Sequence, residues 1–410
     1  MRSVEVWLSN LGKPDIFVGT LREIQPKNYH QPTLDFTYNP AYRSNPGAYA
    51  LAPDMPLVSG SIILPHDRKM FAGLADSLPD DWGRRIIRRR HSDSCRAGGT
   101  TVTPLSELDY LLNQSDETRV GALRFKVSGS TEYSQPGVGS VNDIERLIQA
   151  ALRFDEDDAT AEDLAILSGL SSPLGGARPK VAFQEHGHAP QIVKLWRAED
   201  RQLDIEAWEA VALDIAFDAK MNVPRHLLKR ATASVSRLHL DRFDRVAGGR
   251  VGYQSMRSAL GYGLDIERTF SYQEMAEYVA ISCDEPNRQL DQLFRKAALS
   301  IAINDIDDHT RNLGFVRTNR GWVLAPFFDI NPGHPDSAEQ SNTWVTRTAN
   351  RFAKHDFTAL IDDSASYRLT SNQALEIIDE IRSAASSWHE RAISHGISER
   401  SIERYRTSFI

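Results

Sequence analysis

Asn304-Asp305-Ile306-Asp307-Asp308-His309-Thr310-Arg311-Asn312, followed by Asp329 in Pro326-Phe327-Phe328-Asp329, is the stretch that decides how the chain folds. An acid, an amide a few residues later and a second acid beyond a β-hairpin form the arrangement that phosphoryl transfer needs. The first acid orients a hydroxyl and takes its proton; the amide and the last acid hold magnesium between nucleotide phosphates. At this point Asp305, Asp307 and Asp308 are all open as the proton acceptor. The flanks fit the same reading. Leu290, Leu293, Phe294, Ala297, Ala298, Ile301 and Ala302 recur at helical spacing and lead into Asn304. Gly314-Phe315-Val316 and Trp322-Val323-Leu324 read as a hairpin around Asn319-Arg320-Gly321.

Upstream, the segment from Leu167 to Lys180 reads as loop, with Ser171, Ser172, Gly175, Gly176, Ala177, Arg178 and Lys180 in it. Glycines let backbone N–H groups turn toward an anion, and serine, arginine and lysine add donors. Neither the dinucleotide fingerprint nor the P-loop signature is present, so this loop alone is also a plain surface turn. It feeds a strand at Val181-Ala182-Phe183, and Gln191–Trp196 reads as the next one. Lys194 shares a face there with Ile192 and Trp196, and so needs an anion or a route to solvent. Nucleotide phosphates supply the first; an edge strand supplies the second. A helix follows, with Trp208, Val211, Ala212, Ile215, Ala216 and Ala219 on one stripe. Glu206 and Glu209 in its first turn are candidates to pair with Lys194, with Glu209 preferred. Val235–Arg245 reads as a strand leaving the nucleotide-binding part, which places Asp241 and Phe243 as candidates beside an adenine. A metallohydrolase using Asp307, Asp308, His309 and Asp329 is the competing chemistry. It leaves Lys194 and the glycine loop without a purpose.

The rest of the chain sets limits. Its 410 residues suffice for a two-lobed enzyme, and its net charge of −7 gives no global case for nucleic-acid binding. Cys95 and Cys283 are too few for a disulfide framework or a cysteine-based zinc site. No run approaches the length of a membrane span and Met1–Val6 lacks an apolar signal core, so a cytoplasmic protein without membrane partners is expected. Val4–Leu8 and Phe17–Leu21 read as an opening hairpin, Thr33–Tyr38, Gly60–Leu64 and Val120–Phe125 as strands, and Leu78–Trp82 as the start of a helix that continues through Arg90, with another helix at Leu105–Gln114. Ser128–Ser140 has linker composition, and helical patterns dominate beyond Ile205. The expected division is a β-rich part at 1–135, a nucleotide-binding part at 136–240 and a helical catalytic part at 241–410. The expected fold is α+β, two-lobed and protein-kinase-like.

Together these motifs resemble the HipA family of bacterial serine/threonine kinases, the toxins of HipA–HipB toxin–antitoxin modules. The resemblance runs through Val4–Leu21, Phe71–Gly83 ("F…LPD.WG"), Arg119–Phe125 ("R.GALRF"), Gly175–Lys180, Leu240–Arg245, Asn304–Asn312 and Ala325–Pro332. It implies ATP and Mg2+ as cofactors. The family's Asp-x-His-x-(Lys/Arg)-Asn spacing selects Asp307 as the catalytic aspartate. Asn312 and Asp329 would then hold magnesium, Lys194 the nucleotide phosphates, Gly175 through Lys180 the phosphate loop, and Asp241 and Phe243 the adenine. The family switches itself off by phosphorylating a loop serine. That position falls on Pro173 here, which leaves Ser172 and Ser171 beside it as the candidates. The resemblance also implies a protein substrate such as an aminoacyl-tRNA synthetase, a helix-turn-helix antitoxin partner, and contact with DNA only through that partner. The basic run Arg84–Arg90 is a candidate for such contact or a solvated helix face. Two alternatives stand beside this reading: a catalytically weak kinase fold that only binds an antitoxin, and a small-molecule phosphotransferase.

Overall fold

The alternating residues at the start of the chain become a β-hairpin. β1 (Ser3–Asn10) and β2 (Lys13–Ile24) pair antiparallel, with Val4 opposite Leu21 and Val6 opposite Gly19, and Gly12 turns the chain at φ +67°. The computed structural model describes residues 2–25, 32–134, 144–170, 178–185, 189–197, 203–232, 234–247, 249–263, 268, 270–333, 347–348, 351–352 and 356–409. These form two compact units, Met1–Val193 with Asp244–Glu267, and Lys194–Phe243 with Arg268–Ile410. The units part at Val193/Lys194. Residues 135–140 of the expected linker lie outside the described residues.

In the first unit β3 (Thr33–Tyr38), β4 (Ser61–Ile63) and β5 (Leu123–Val127) complete a five-stranded sheet in the order β4-β3-β2-β1-β5. Its inner face buries Val4, Val6, Val18, Leu21, Phe36 and Phe125 completely, against Phe71, Leu74 and Leu78. Each such side chain contributes about 1.5–3 kcal/mol by leaving water. β5 begins three residues later than its sequence suggests. Gly121 stands at φ +73° and gives its N–H to Asp244 Oδ2 at 2.7 Å, which no ladder position allows. The same corner draws Asp244–Glu267 back into this unit: Arg245 donates to Arg119 O at 2.7 Å, and Arg250 pairs with Asp116 at 2.9 Å.

The helix Asp81–Ala97 is capped by Asp80, whose carboxylate accepts the Gly83 N–H at 2.8 Å. Its arginines are partly spent: Arg84 pairs with Glu107, and Arg85 with Asp155 at 3.3 Å. The stretch read as loop from Leu167 is corrected in part. A helix runs Ala161–Leu170, started by Thr160 and Asp163, which cap each other reciprocally at 2.9 and 3.1 Å, and held by buried Leu164, Ile166 and Leu167. β6 (Lys180–Phe183) and β7 (Gln191–Lys194) follow.

The second unit is built around the helix Ile205–Asp218. Its expected apolar stripe is present, but burial extends to nearly every residue from Glu206 to Ala216, both glutamates included. Beside it runs a hairpin of β8 (His226–Arg230) and β9 (Ser236–Asp241), with His226 opposite Leu240. On another side Trp208 stacks on Tyr405 at 4.4 Å and donates Nε1–H to Ser401 Oγ at 3.0 Å. The helix Pro286–Ala302 packs against the helices Tyr272–Ser282 and Ser371–Ala385. Among the described residues no helix is long and apolar enough to cross a membrane.

Candidate active site

Lys194, the last residue of β7 and the first of the second unit, is buried, and its ammonium has two acidic partners. Nζ lies 2.7 Å from both Glu209 oxygens and 2.6 Å from Asp329 Oδ1. Burial opposes the charge on Lys194, but Asp329 and Glu209 outweigh it and hold the ammonium above its ordinary value. Burial also raises the Glu209 carboxyl, since Lys194 is shared and Asp329 and Glu206 add like charge. Asp329 stands at φ +57°, a backbone conformation that costs a non-glycine residue energy, and its N–H donates to Glu209 Oε1 at 3.2 Å. Phe328, next to it, stacks on Phe243 at 5.6 Å. Asp241 ends β9 and lies 3.9 Å from Arg225.

The run Asn304–Asn312 leaves the Pro286–Ala302 helix through Asn304 at φ +51°. Its three acids are treated very differently. Asp305 and Asp308 turn inward, with side chains 2% and 1% exposed, onto the ammonium of Lys296 at 3.4 and 2.8 Å. Asp307 turns outward with 76% of its side chain exposed, 3.8 Å from His309 Nε2. Desolvation by the surrounding rim raises the Asp307 carboxyl, His309 and Arg311 pull it down, and the Asp329 and Asp308 charges push it up. Asn312 donates Nδ2–H to Asp307 O at 3.2 Å, while its Oδ1 is buried with no hydrogen-bond partner. A buried acceptor without a donor is uncommon and costly, and a metal ion satisfies it. Asn331 presents a second buried Oδ1 without a partner and donates its amide to Asp329 Oδ1 at 3.4 Å.

Gly333 closes this arrangement. It donates to Ile303 O at 3.1 Å and accepts from Ser408 Oγ, and a Cβ there would lie 2.0 Å from Asn304 O.

The structure therefore gathers Lys194, Glu209 and Asp329, joins Asp307 to Asn312, and brings Phe243 to the neighbour of Asp329. Ser171, Ser172, Pro173, Gly175, Gly176 and Ala177 lie outside the described residues. Arg178 is half-buried in the first unit. Lys180 is in that unit too, buried against Asp80 at 2.7 Å, so a role on phosphates would require giving up this pair. Sequence reasoning missed Lys296, Ser300, Tyr272, Asn331 and Gly333. The signal for the first two was a lysine and a serine spaced i, i+4 inside an otherwise apolar helix stripe. Among the described residues no three His, Cys, Asp or Glu side chains gather as a metal cage, and Asp308 is committed to Lys296. Oxygens of Asn312 and Asp329 instead fit a magnesium that keeps water and phosphate in its remaining positions.

The chain is thus an α+β protein whose second unit holds a buried lysine–glutamate pair, an acid at its end and an acid–amide run. Residues 6–126 match the HipA N-terminal domain, and residues 172–388 match the HipA-like C-terminal domain. The second match alone covers more than half of the 410 residues, and the chain belongs to the HipA family. Among solved structures it is similar to the HipA of Shewanella oneidensis MR-1, determined in a complex with HipB and its operator DNA. The TM-score is 0.67 at 16% identity, over 99% of this chain and 94% of that one. This gives it the HipA fold. It also matches the Helicobacter pylori proinflammatory kinase CtkA at a TM-score of 0.42 and 14% identity, over 57% of this chain and 87% of that one. No curated protein sequence matches it.

Proposed function

We propose that the chain is a Mg-ATP-dependent serine/threonine protein kinase and the toxin of a toxin–antitoxin module. The observation that carries this is the pairing of Lys194 with Glu209 and Asp329, in the same unit as an outward-facing Asp307 and the unsatisfied Oδ1 of Asn312. Lys194, held charged and oriented by Glu209, binds nucleotide phosphates as a fixed point charge. Asn312 and Asp329 hold magnesium, which when bound supplies charge neutralisation for the transferring phosphate. Asp307 accepts the hydroxyl proton of the substrate and orients its oxygen toward the phosphate. Phe243 and Asp241 border the adenine. Gly175, Gly176, Ala177, Arg178 and Lys180 are the residues that the family resemblance assigns to the phosphate loop.

The substrate is a protein hydroxyl, with an aminoacyl-tRNA synthetase as the implied type. Ser172 or Ser171 takes the autoinhibitory phosphate, whose charge of about −2 repels a loop from ATP. The partner is an antitoxin of the HipB kind, a reading supported by the Shewanella assembly, and DNA is reached through it. The test is transfer from γ-labelled ATP in a cell lysate. Label on a discrete protein band that requires Mg2+ is expected. Label on small metabolites alone would make the chain a small-molecule phosphotransferase, and nucleotide binding without transfer would make it a binding module.

A further inference from the structure

The run Asn304–Asn312 carries three carboxylates within four positions, and two of them are buried. Burying two carboxylates side by side is prohibitive unless a cation and hydrogen bonds compensate them. Lys296 is that cation. Its ammonium donates to Ser300 Oγ at 2.7 Å and to Asp305 Oδ2 at 3.4 Å, and forms an ion pair with Asp308 Oδ1 at 2.8 Å. The remaining oxygens are also used. Asp308 Oδ2 accepts from Tyr272 Oη at 2.5 Å and from Ser300 Oγ at 2.7 Å. Asp305 Oδ1 accepts the backbone N–H of Asp307 at 3.3 Å. From Asp307 the connection continues to Asn312, whose side chain is bound to Asp307 O.

We propose that Lys296, with Tyr272 and Ser300, is a positioning residue for phosphate transfer: it pins the two acids beside Asp307 inward and so fixes the one that faces out. This rests on the kinase reading above and adds to it the device that sets the orientation of its base. An Asp305-Ile306-Asp307-Asp308 segment free to rotate would present any of three carboxylates. With Asp305 and Asp308 tied to one ammonium on a packed helix, the backbone of Asp307 has no such freedom. The network lies wholly in the second unit and touches neither Lys194 nor Asp329 directly, so it should act on turnover and not on nucleotide capture.

Tyr272→Phe removes one hydrogen bond from Asp308 without stranding a charge, and Lys296→Met removes the cation. Both are made in the full chain and read by ATP kinetics and by hydrogen exchange of the peptide covering Asn304–Asn312. For Tyr272→Phe, kcat should fall about tenfold with KM for ATP within about twofold, and the peptide should exchange faster. Lys296→Met should show the same pattern more strongly, with lower thermal stability. An unchanged kcat in Tyr272→Phe alongside faster exchange would mean that the network is structural only and overturn the proposal; unchanged exchange would overturn it as well. If the wild-type chain transfers no phosphate, the kinase reading fails by itself. The exchange data then decide whether these three residues order the run.

Discussion

Lys194→Met is expected to abolish phosphate transfer and to weaken the second unit. The substitution keeps the length of the side chain and removes the ammonium held between Glu209 and Asp329. Breaking a buried pair by deleting one partner costs about 3–5 kcal/mol, because the surviving charge stays desolvated. Two acids lose their ammonium here, so a cost in that range is expected, together with a loss in kcat/KM of at least about a hundredfold. The pH dependence has a definite sign. Glu209 already has its carboxyl raised in the folded state, and without Lys194 it rises further. A carboxyl whose folded value exceeds its unfolded one favours folding as pH falls. The stability deficit of Lys194→Met should therefore shrink as the pH falls from neutral toward the ordinary carboxylate range. In the wild type Lys194 is raised, so its contribution is complete below the ordinary lysine value and is lost only in strong alkali. Urea unfolding of both proteins across this range checks the point. A deficit that grows on acidification would contradict the pairing.

Gly333→Ala is the second large effect. An added Cβ would lie 2.0 Å from Asn304 O, 2.8 Å from Asn304 Nδ2 and 3.1 Å from the Asn304 carbonyl carbon. The first contact is backbone, so a side-chain rotation cannot relieve it. Asn304 already sits at φ +51°, and Gly333 is held on both sides by Ile303 O and Ser408 Oγ. The obstruction must push the start of the catalytic run away from the segment that follows Asp329. Overpacking of this kind costs about 1–3 kcal/mol or more. A shift of about 1 Å in catalytic groups can cost about a hundredfold in rate. Differential scanning calorimetry and single-turnover kinetics should show both losses together. Wild-type stability and rate in Gly333→Ala would mean that the two segments are not in contact.

Most of this site can be read from the sequence because its chemistry depends on spacing. The acid–amide run ending at Asn312, Lys194 on an alternating strand, and Glu209 near the start of a strongly periodic helix are visible as local pattern, whereas the choice of Asp307 among three acids came from the family spacing. What escapes is tertiary. Lys296 and Ser300 interrupt an apolar stripe, and periodicity treats a lysine there as the margin of the stripe. Only the fold shows that Asp305 and Asp308 turn back onto it. Gly333 is one glycine after a proline until Asn304 is placed against it. β8 lacks alternation because it is mostly exposed, and β5 starts late because Gly121 serves Asp244 instead of the sheet. The fold class itself was legible because the opening hairpin, the lysine strand and the catalytic hairpin each carry local turn and alternation signals.

The outward position of Asp307 makes it the residue whose replacement separates chemistry from folding. Its side chain is 76% exposed, so Asp307→Asn should leave the melting temperature and nucleotide binding close to wild type. The measurement is transfer of γ-labelled phosphate in Mg2+, by the wild-type chain and by Asp307→Asn, to itself and to lysate protein. The account predicts transfer by the wild type and a loss of about a hundredfold to ten-thousandfold in the variant, the range expected for removal of a general base. Wild-type turnover by a folded Asp307→Asn protein would contradict it.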